Sequence, residues 1–235
     1  MGHAGGRTTA VRLAAWWLAL LATASLAGWL VVHAGHGYAL SHLDAVVQRD
    51  IQPVHPDLHH LASVVTVLGS LPVVLGCTAA FAFAANRITG APVLILVVVT
   101  LGAVALSDLA KLIVRRTGPA HRVASGLHDY SFPSGHSTSA GALFVGAALI
   151  ATVGSRWRRL AAITATLVLA SGVAWSRVVL DVHWLTDVLA GTALGAGWAA
   201  VVVHTWLPSG NRSARVRSPG PRRPPAGIGL RGPAR

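Results

Sequence analysis

The chain has 235 residues, 53% of them hydrophobic and 11% charged, with a mean hydropathy of +0.60. A soluble domain carries roughly 25% charged residues, so this composition excludes an ordinary water-soluble domain and points to one domain-length chain dissolved mainly in lipid. The net charge of +12 does not indicate a nucleic-acid partner: the basic residues flank apolar runs, seven of the arginines fall after residue 210, and no nucleic-acid motif accompanies them.

Crossing the hydrocarbon core takes about 20 apolar residues in a helix, because only a helix satisfies its own backbone groups there. Six runs meet that description, predicting an all-α, six-transmembrane helical bundle. The first covers 12–33, with Trp16 and Trp17 near its start. Its basic start and the small residues of 22–27 also fit a signal peptide, but the apolar run continues through Trp29, Leu30, Val31 and Val32, which favours a retained span. Next comes segment 34–59, carrying Asp44, Asp50 and Asp57 against Arg49. The remaining spans are 60–84, 92–114, 136–153, 160–180 and 184–206. Cys77, the one cysteine, lies inside the second run, permits no internal disulfide and reads as a packing residue.

Loop charges set the orientation. Arg7 and Arg12, then Arg87, then Arg156, Arg158 and Arg159, then the arginine-rich tail all fall on one side of a six-span chain. The positive-inside rule makes that side cytoplasmic. The expected layout is a multi-pass cell-membrane domain over 1–206, both termini cytoplasmic, followed by a basic tail, 207–235, too rich in Pro, Gly and Arg to bury a core and expected to be disordered.

Ionisable groups at a membrane edge are costly and need a reason. Three clusters fall on the predicted outer side. Lys111, Arg115, Arg116 and Pro119 close the third span. Pro133-Ser134-Gly135-His136 enters the fourth, where a helix N-terminus offers free N–H groups and a positive dipole end to an anion. Gly135 leaves room for close approach, Ser134 offers a hydroxyl, and His136 is placed to act as a general acid. Ser176, Arg177, His183 and Asp187 join the fifth span to the sixth. His183 and Asp187 are four apart and share a helix face, so the carboxylate can fix the imidazole tautomer and leave the other nitrogen as a nucleophile. Arg177 supplies a planar fork of donors matched to phosphate oxygens. Taken singly, each cluster has a plain structural reading: a snorkelling Lys111 paired with Asp108, an N-cap, a buried His–Asp pair. His55, His59 and His60 are read as solvated loop residues, and no metal is assigned.

In order, Lys111…Pro119, Pro133-Ser134-Gly135-His136 and Ser176-Arg177-x5-His183-x3-Asp187 resemble the type 2 phosphatidic acid phosphatase (PAP2) superfamily, which also includes the vanadium haloperoxidases. The likeness covers about 95–206, and its second and third motifs match throughout. The first departs: where the family has Lys, six residues, Arg-Pro, this chain has Gly118 before Pro119. Arg116 and Arg122 are the nearby candidates to replace the phosphate-binding arginine.

The resemblance implies a lipid phosphatase or pyrophosphatase without a cofactor. His183 would attack phosphorus and form a phosphohistidine, oriented by Asp187. His136 would protonate the leaving group, and water would then release phosphate. Lys111, Arg177, Ser134 and the Gly135 N–H would hold the phosphoryl oxygens. An outer-face site suits a lipid substrate of the undecaprenyl pyrophosphate, phosphatidic acid or phosphatidylglycerophosphate type, with a slight lean to the first. Two other readings stand beside it. Vanadate-dependent haloperoxidation belongs to larger soluble proteins. A non-catalytic lipid-phosphate binder or transporter on a degenerate phosphatase scaffold draws its support from Gly118.

Overall fold

The computed structural model describes residues 3–33, 39–89, 93–119, 130–151 and 156–207. All regular structure among them is helical: α1 (His3–His33), α2 (Ala39–Ile51), α3 (Pro56–Val65), α4 (Leu71–Thr89), α5 (Val93–Val114), α6 (Gly135–Ala151), α7 (Arg156–Val179) and α8 (Leu185–Trp206), with a 3-10 turn, Thr66–Gly69, between α3 and α4. The predicted all-helical membrane fold is therefore present. The tail beyond residue 207 lies outside the described residues.

Six full-length spans are not confirmed among the described residues. Four helices among the described residues are long and apolar enough to cross a membrane: α1 from Arg7, α5, α7 from Arg159, and α8. The run expected at 60–84 is broken instead, α3 and α4 meeting at 51° and making at most a fifth span together. Pro72 explains the break, since it lacks an N–H and cannot continue the helix from α3, whereas the first turn of α4 tolerates it. The fourth run forms α6, which at 17 residues falls short of a full span. Segment 34–59 is also more structured than a loop, for it contains α2 and the start of α3.

α6 forms the axis of the bundle, packed along α8 and flanked by α5, α7 and α4. Small residues bring α6 and α8 almost to backbone contact. A Cβ at Gly195 would lie 2.0 Å from the Thr138 carbonyl oxygen, and one at Gly191 would lie 2.6 Å from that of Ser134. This four-residue glycine spacing is a common way for membrane helices to gain dispersion contact where no hydrophobic drive separates helix from lipid. Leu143, Val173 and Val74 fill one side of the axis, and Leu96, Val99, Leu106, Trp198 and Val202 the other. α1 closes the outside through Trp17, whose Nε1 donates to the Gly102 carbonyl at 3.1 Å. Beside it Trp198 donates to Val98 O at 3.1 Å.

Candidate active site

The three polar clusters meet at one end of this bundle. Ser134 stands just before α6, its Oγ facing the Ser137 N–H and its carbonyl accepting from Thr138 N at 2.9 Å. The Ser134 N–H donates to the Asp187 carbonyl at 3.0 Å, tying the α6 entry to the first turn of α8. Gly135 opens α6 against α5: a Cβ there would touch Ser107 Oγ at 3.5 Å and Lys111 Cε at 4.0 Å. Lys111, buried, donates from Nζ to the Tyr130 carbonyl at 2.7 Å, so its ammonium sits beside the start of α6. Thus the N-terminus of α6, the Ser134 hydroxyl and a lysine, which the family resemblance groups together, lie side by side.

His183 and Asp187 are both buried. His183 Nδ1 lies 3.7 Å from Asp187 Oδ2, an ion-pair separation longer than a hydrogen bond. The same Oδ2 accepts the Trp184 N–H at 2.9 Å, so Asp187 both caps α8 and faces the imidazole. Burial lowers the His183 pKa below its ordinary value; Asp187 opposes that effect, while Arg177 and Lys111 reinforce it. A neutral imidazole, which can act as a nucleophile, is the form the site favours at neutral pH. Arg177 reaches the site from α7, with one terminal nitrogen bonded to Thr66 Oγ1 at 2.9 Å and a buried Nε without a partner among the described residues. His136, in the first turn of α6, packs against Gly69 of the broken α3–α4 segment, where a Cβ would meet its own at 2.9 Å.

The segment after α5 takes an unforeseen course. Arg115 adopts φ 51°, the left-handed form that ends many helices. This turns Arg116 inward, and its guanidinium, 11% exposed, bonds carboxylates: NH2 to Asp44 Oδ2 at 2.7 Å, and NH1 to Asp187 Oδ1 at 2.5 Å and Thr186 Oγ1 at 2.7 Å. It also lies over the Trp184 ring. In this arrangement Arg116 is spent on carboxylates rather than aimed at a phosphate. Arg122, the other candidate, lies outside the described residues. Gly118 packs close to the Val182 carbonyl.

Sequence reasoning missed Asp44, Thr186 and Thr66. Asp44 comes from α2, is 2% exposed, and accepts Thr186 N at 2.9 Å and Thr186 Oγ1 at 2.6 Å. One signal was available: Asp44, Gln48 and Gln52 repeat every four residues, as one helix face does. His55 instead caps α3 through Asp57 N, and His59 and His60 are exposed. Among the described residues no group of three or more His, Cys, Asp or Glu is placed to hold a metal ion.

Comparison with known proteins bears on the family and the fold. The chain is 37% identical over 99 residues to phosphatidylglycerophosphatase B of Escherichia coli K12, covering 41% of this chain and 34% of that protein. It is 37% identical over 119 residues to decaprenylphosphoryl-5-phosphoribose phosphatase of Mycobacterium tuberculosis H37Rv (48% and 59%), and 33% identical over 107 residues to lipid A 1-phosphatase of Rhizobium etli (41% and 42%). The chain thus spans less than two thirds of the length of each of these relatives. In fold it is similar to the crystal structure of a transmembrane PAP2 type phosphatidylglycerolphosphate phosphatase from Bacillus subtilis, with a TM-score of 0.65, 21% identity, and 84% of this chain and 97% of that one covered. The family model of the PAP2 superfamily matches residues 92–210, half of the chain and the stretch in which the three motifs lie, and the protein belongs to that superfamily.

Proposed function

We propose that this protein hydrolyses a phosphomonoester or pyrophosphate on a membrane lipid through a phosphohistidine at His183. The carrying observation is the convergence of a buried His183–Asp187 pair, His136, Lys111, Arg177 and the α6 N-terminus on one small volume. His183 Nε2 attacks phosphorus while the bond to the lipid oxygen, or to the bridging pyrophosphate oxygen, breaks. That oxygen leaves with a proton delivered through His136, which the negative charge of the bound phosphate must keep cationic against burial and the nearby Arg177 and Lys111. Water, deprotonated by the same His136, then attacks the phosphoryl group, freeing inorganic phosphate and neutral His183. Lys111, Arg177, the Ser134 hydroxyl and the Gly135 N–H hold the phosphoryl oxygens where charge develops, and fixed donors of this kind supply much of the rate. These roles need neither metal nor cofactor.

The charge pattern of the loops supports an active site on the extracytoplasmic face with cytoplasmic termini. Relatives named for phosphatidylglycerophosphate, for a decaprenylphosphoryl sugar phosphate and for lipid A support a lipid phosphate as substrate. A second reading, a lipid-phosphate binder without turnover, is favoured by one observation: Gly118 stands where the family has arginine, and Arg116 is engaged by two carboxylates.

Detergent-purified protein separates the two. Phosphate release is measured from undecaprenyl pyrophosphate, phosphatidic acid, phosphatidylglycerophosphate and decaprenylphosphoryl-5-phosphoribose, with EDTA present. Release that survives EDTA and vanishes in His183→Ala is expected. Tight binding without release from any of the four would favour the binder.

A further inference from the structure

Helix α2 is too short to cross the bilayer, yet its Asp44 is among the most buried charged groups of the described residues. Two residues of one α2 face, with Gln52 just past the end of the helix, hold the turn that carries His183. Asp44 accepts two bonds from Thr186; Gln48 Nε2 donates to Asp181 Oδ1 at 2.5 Å, and Gln52 Nε2 to the Val179 carbonyl at 3.3 Å. Arg116 then joins Asp44 to Asp187 through separate nitrogens of one guanidinium. A buried arginine between two carboxylates is costly to desolvate unless its donors are satisfied, and here the bonds to both carboxylates and Thr186 help to do so.

The charge arithmetic gives this network a consequence. Arg116 alone would cancel Asp187 and leave His183 without a counter-charge. Asp44 restores a net charge of −1 to the three groups. We propose that Asp44 and Arg116 are positioning residues that act through Asp187, making helix α2 a working part of the active site. Arg116 holds Oδ1 of Asp187, so that Oδ2 is left to face His183 and the Trp184 N–H. Asp44 keeps the local field negative, as the imidazole requires when it gains positive character on taking up the phosphoryl group. The other groups that bear on His183 are cationic or neutral: Lys111 from α5, His136 from α6 and Arg177 from α7. Asp181, in the same turn, is bonded by Gln48.

This inference rests on the phosphatase reading for its kinetic meaning, so the test includes a titration that needs no turnover. His183 is followed by NMR against pH in the full-length protein, alongside the pH profile of kcat/KM. Asp44→Asn removes one negative charge and should lower the His183 midpoint by roughly one pH unit. Arg116→Gln removes a positive charge and should raise it. The double variant, with the original net charge, should return it close to its starting value. Thr186→Val, which breaks bonds but moves no charge, should leave it in place. kcat in Asp44→Asn should fall about 10–100-fold, as when a catalytic group loses its supporting partner, with KM within about twofold, and Asp44→Glu should recover part of the loss. Shifts of one sign in all variants, or activity that merely tracks thermal stability with a fixed midpoint, would overturn the proposal. Should Asp44→Asn fail to fold, the Arg116→Gln midpoint alone decides: upward supports the proposal, unmoved or downward overturns it. Opposite shifts in an inactive protein would uphold the triad and count against the phosphatase reading alone.

Discussion

At position 118 a side chain would grow toward the turn that carries His183. A Cβ there would lie 3.1 Å from the Val182 carbonyl oxygen and 3.7 Å from Ser131 Cβ, a tight fit that requires the carbonyl to give by a few tenths of an ångström. Gly118→Arg is expected to raise phosphate release at least about tenfold over Gly118→Ala, since a single well-placed donor to a developing oxyanion is worth that or more. Equal rates for the two variants would mean that the donors already present suffice. The pH dependence follows from His183. Its folded-state pKa is lowered chiefly by burial, so the neutral imidazole, the form the proposed nucleophile needs, persists below the usual imidazole value of about 6.5. The acid limb of kcat/KM for the wild-type protein should therefore fall below pH 6.5. The same depression has a stability cost with a definite sign: as pH drops below about 6.5 the unfolded chain takes up a proton on this residue before the folded one does, so stability declines there. An acid limb at or above 6.5 would contradict the buried, neutral assignment.

Among the elements, α6 and α8 carry the site because their backbones touch. A Cβ at Gly195 would clash with the Thr138 carbonyl and would lie 2.8 Å from Ala142 N. Gly195→Ala should cost about 1–3 kcal/mol, the usual range for overpacking, and should lower activity by parting Ser134 from Asp187. Gly76, in α4, has nothing within 4 Å of such a Cβ. Gly76→Ala should be neutral or stabilising, by up to about 1 kcal/mol from helix propensity. Thermal unfolding in detergent separates the pair. At this scale the sequence was legible where apolar length decides: α5, α7 and α8 begin and end within a few residues of the expected runs. It was not legible at Ser70, where one proline two residues on divides an otherwise continuous run, nor at α2. There the apolar Leu40, Leu43, Val46 and Val47 were too few to signal a span, and Asp44 read as solvated because its partners lie 72 and 142 residues away in sequence. Arg116 was legible as a site residue by proximity. Its preference for carboxylates depended on that same distant aspartate.

For the whole molecule, the sidedness of the bundle is open to direct measurement. Cys77 is the only cysteine, so a Cys77→Ser background allows single probes. Asp57→Cys, exposed at the active-site end, should react with a membrane-impermeant maleimide in intact cells, and Arg156→Cys, exposed at the other end, only after permeabilisation. The reverse pattern would turn the site to the cytoplasm. The brevity of α6 has a consequence of its own. Its 17 residues rise about 25 Å, while the hydrocarbon layer is about 30 Å thick. Were the inner end of these described residues seated at the opposite boundary, the mouth of the helix would lie a few ångströms below the lipid headgroups, and a phosphate would have to descend to reach it. The site would then sort candidate molecules by depth before chemistry begins: a phosphate drawn down by a lipid tail arrives, while the same phosphate on a freely dissolved alcohol stays above.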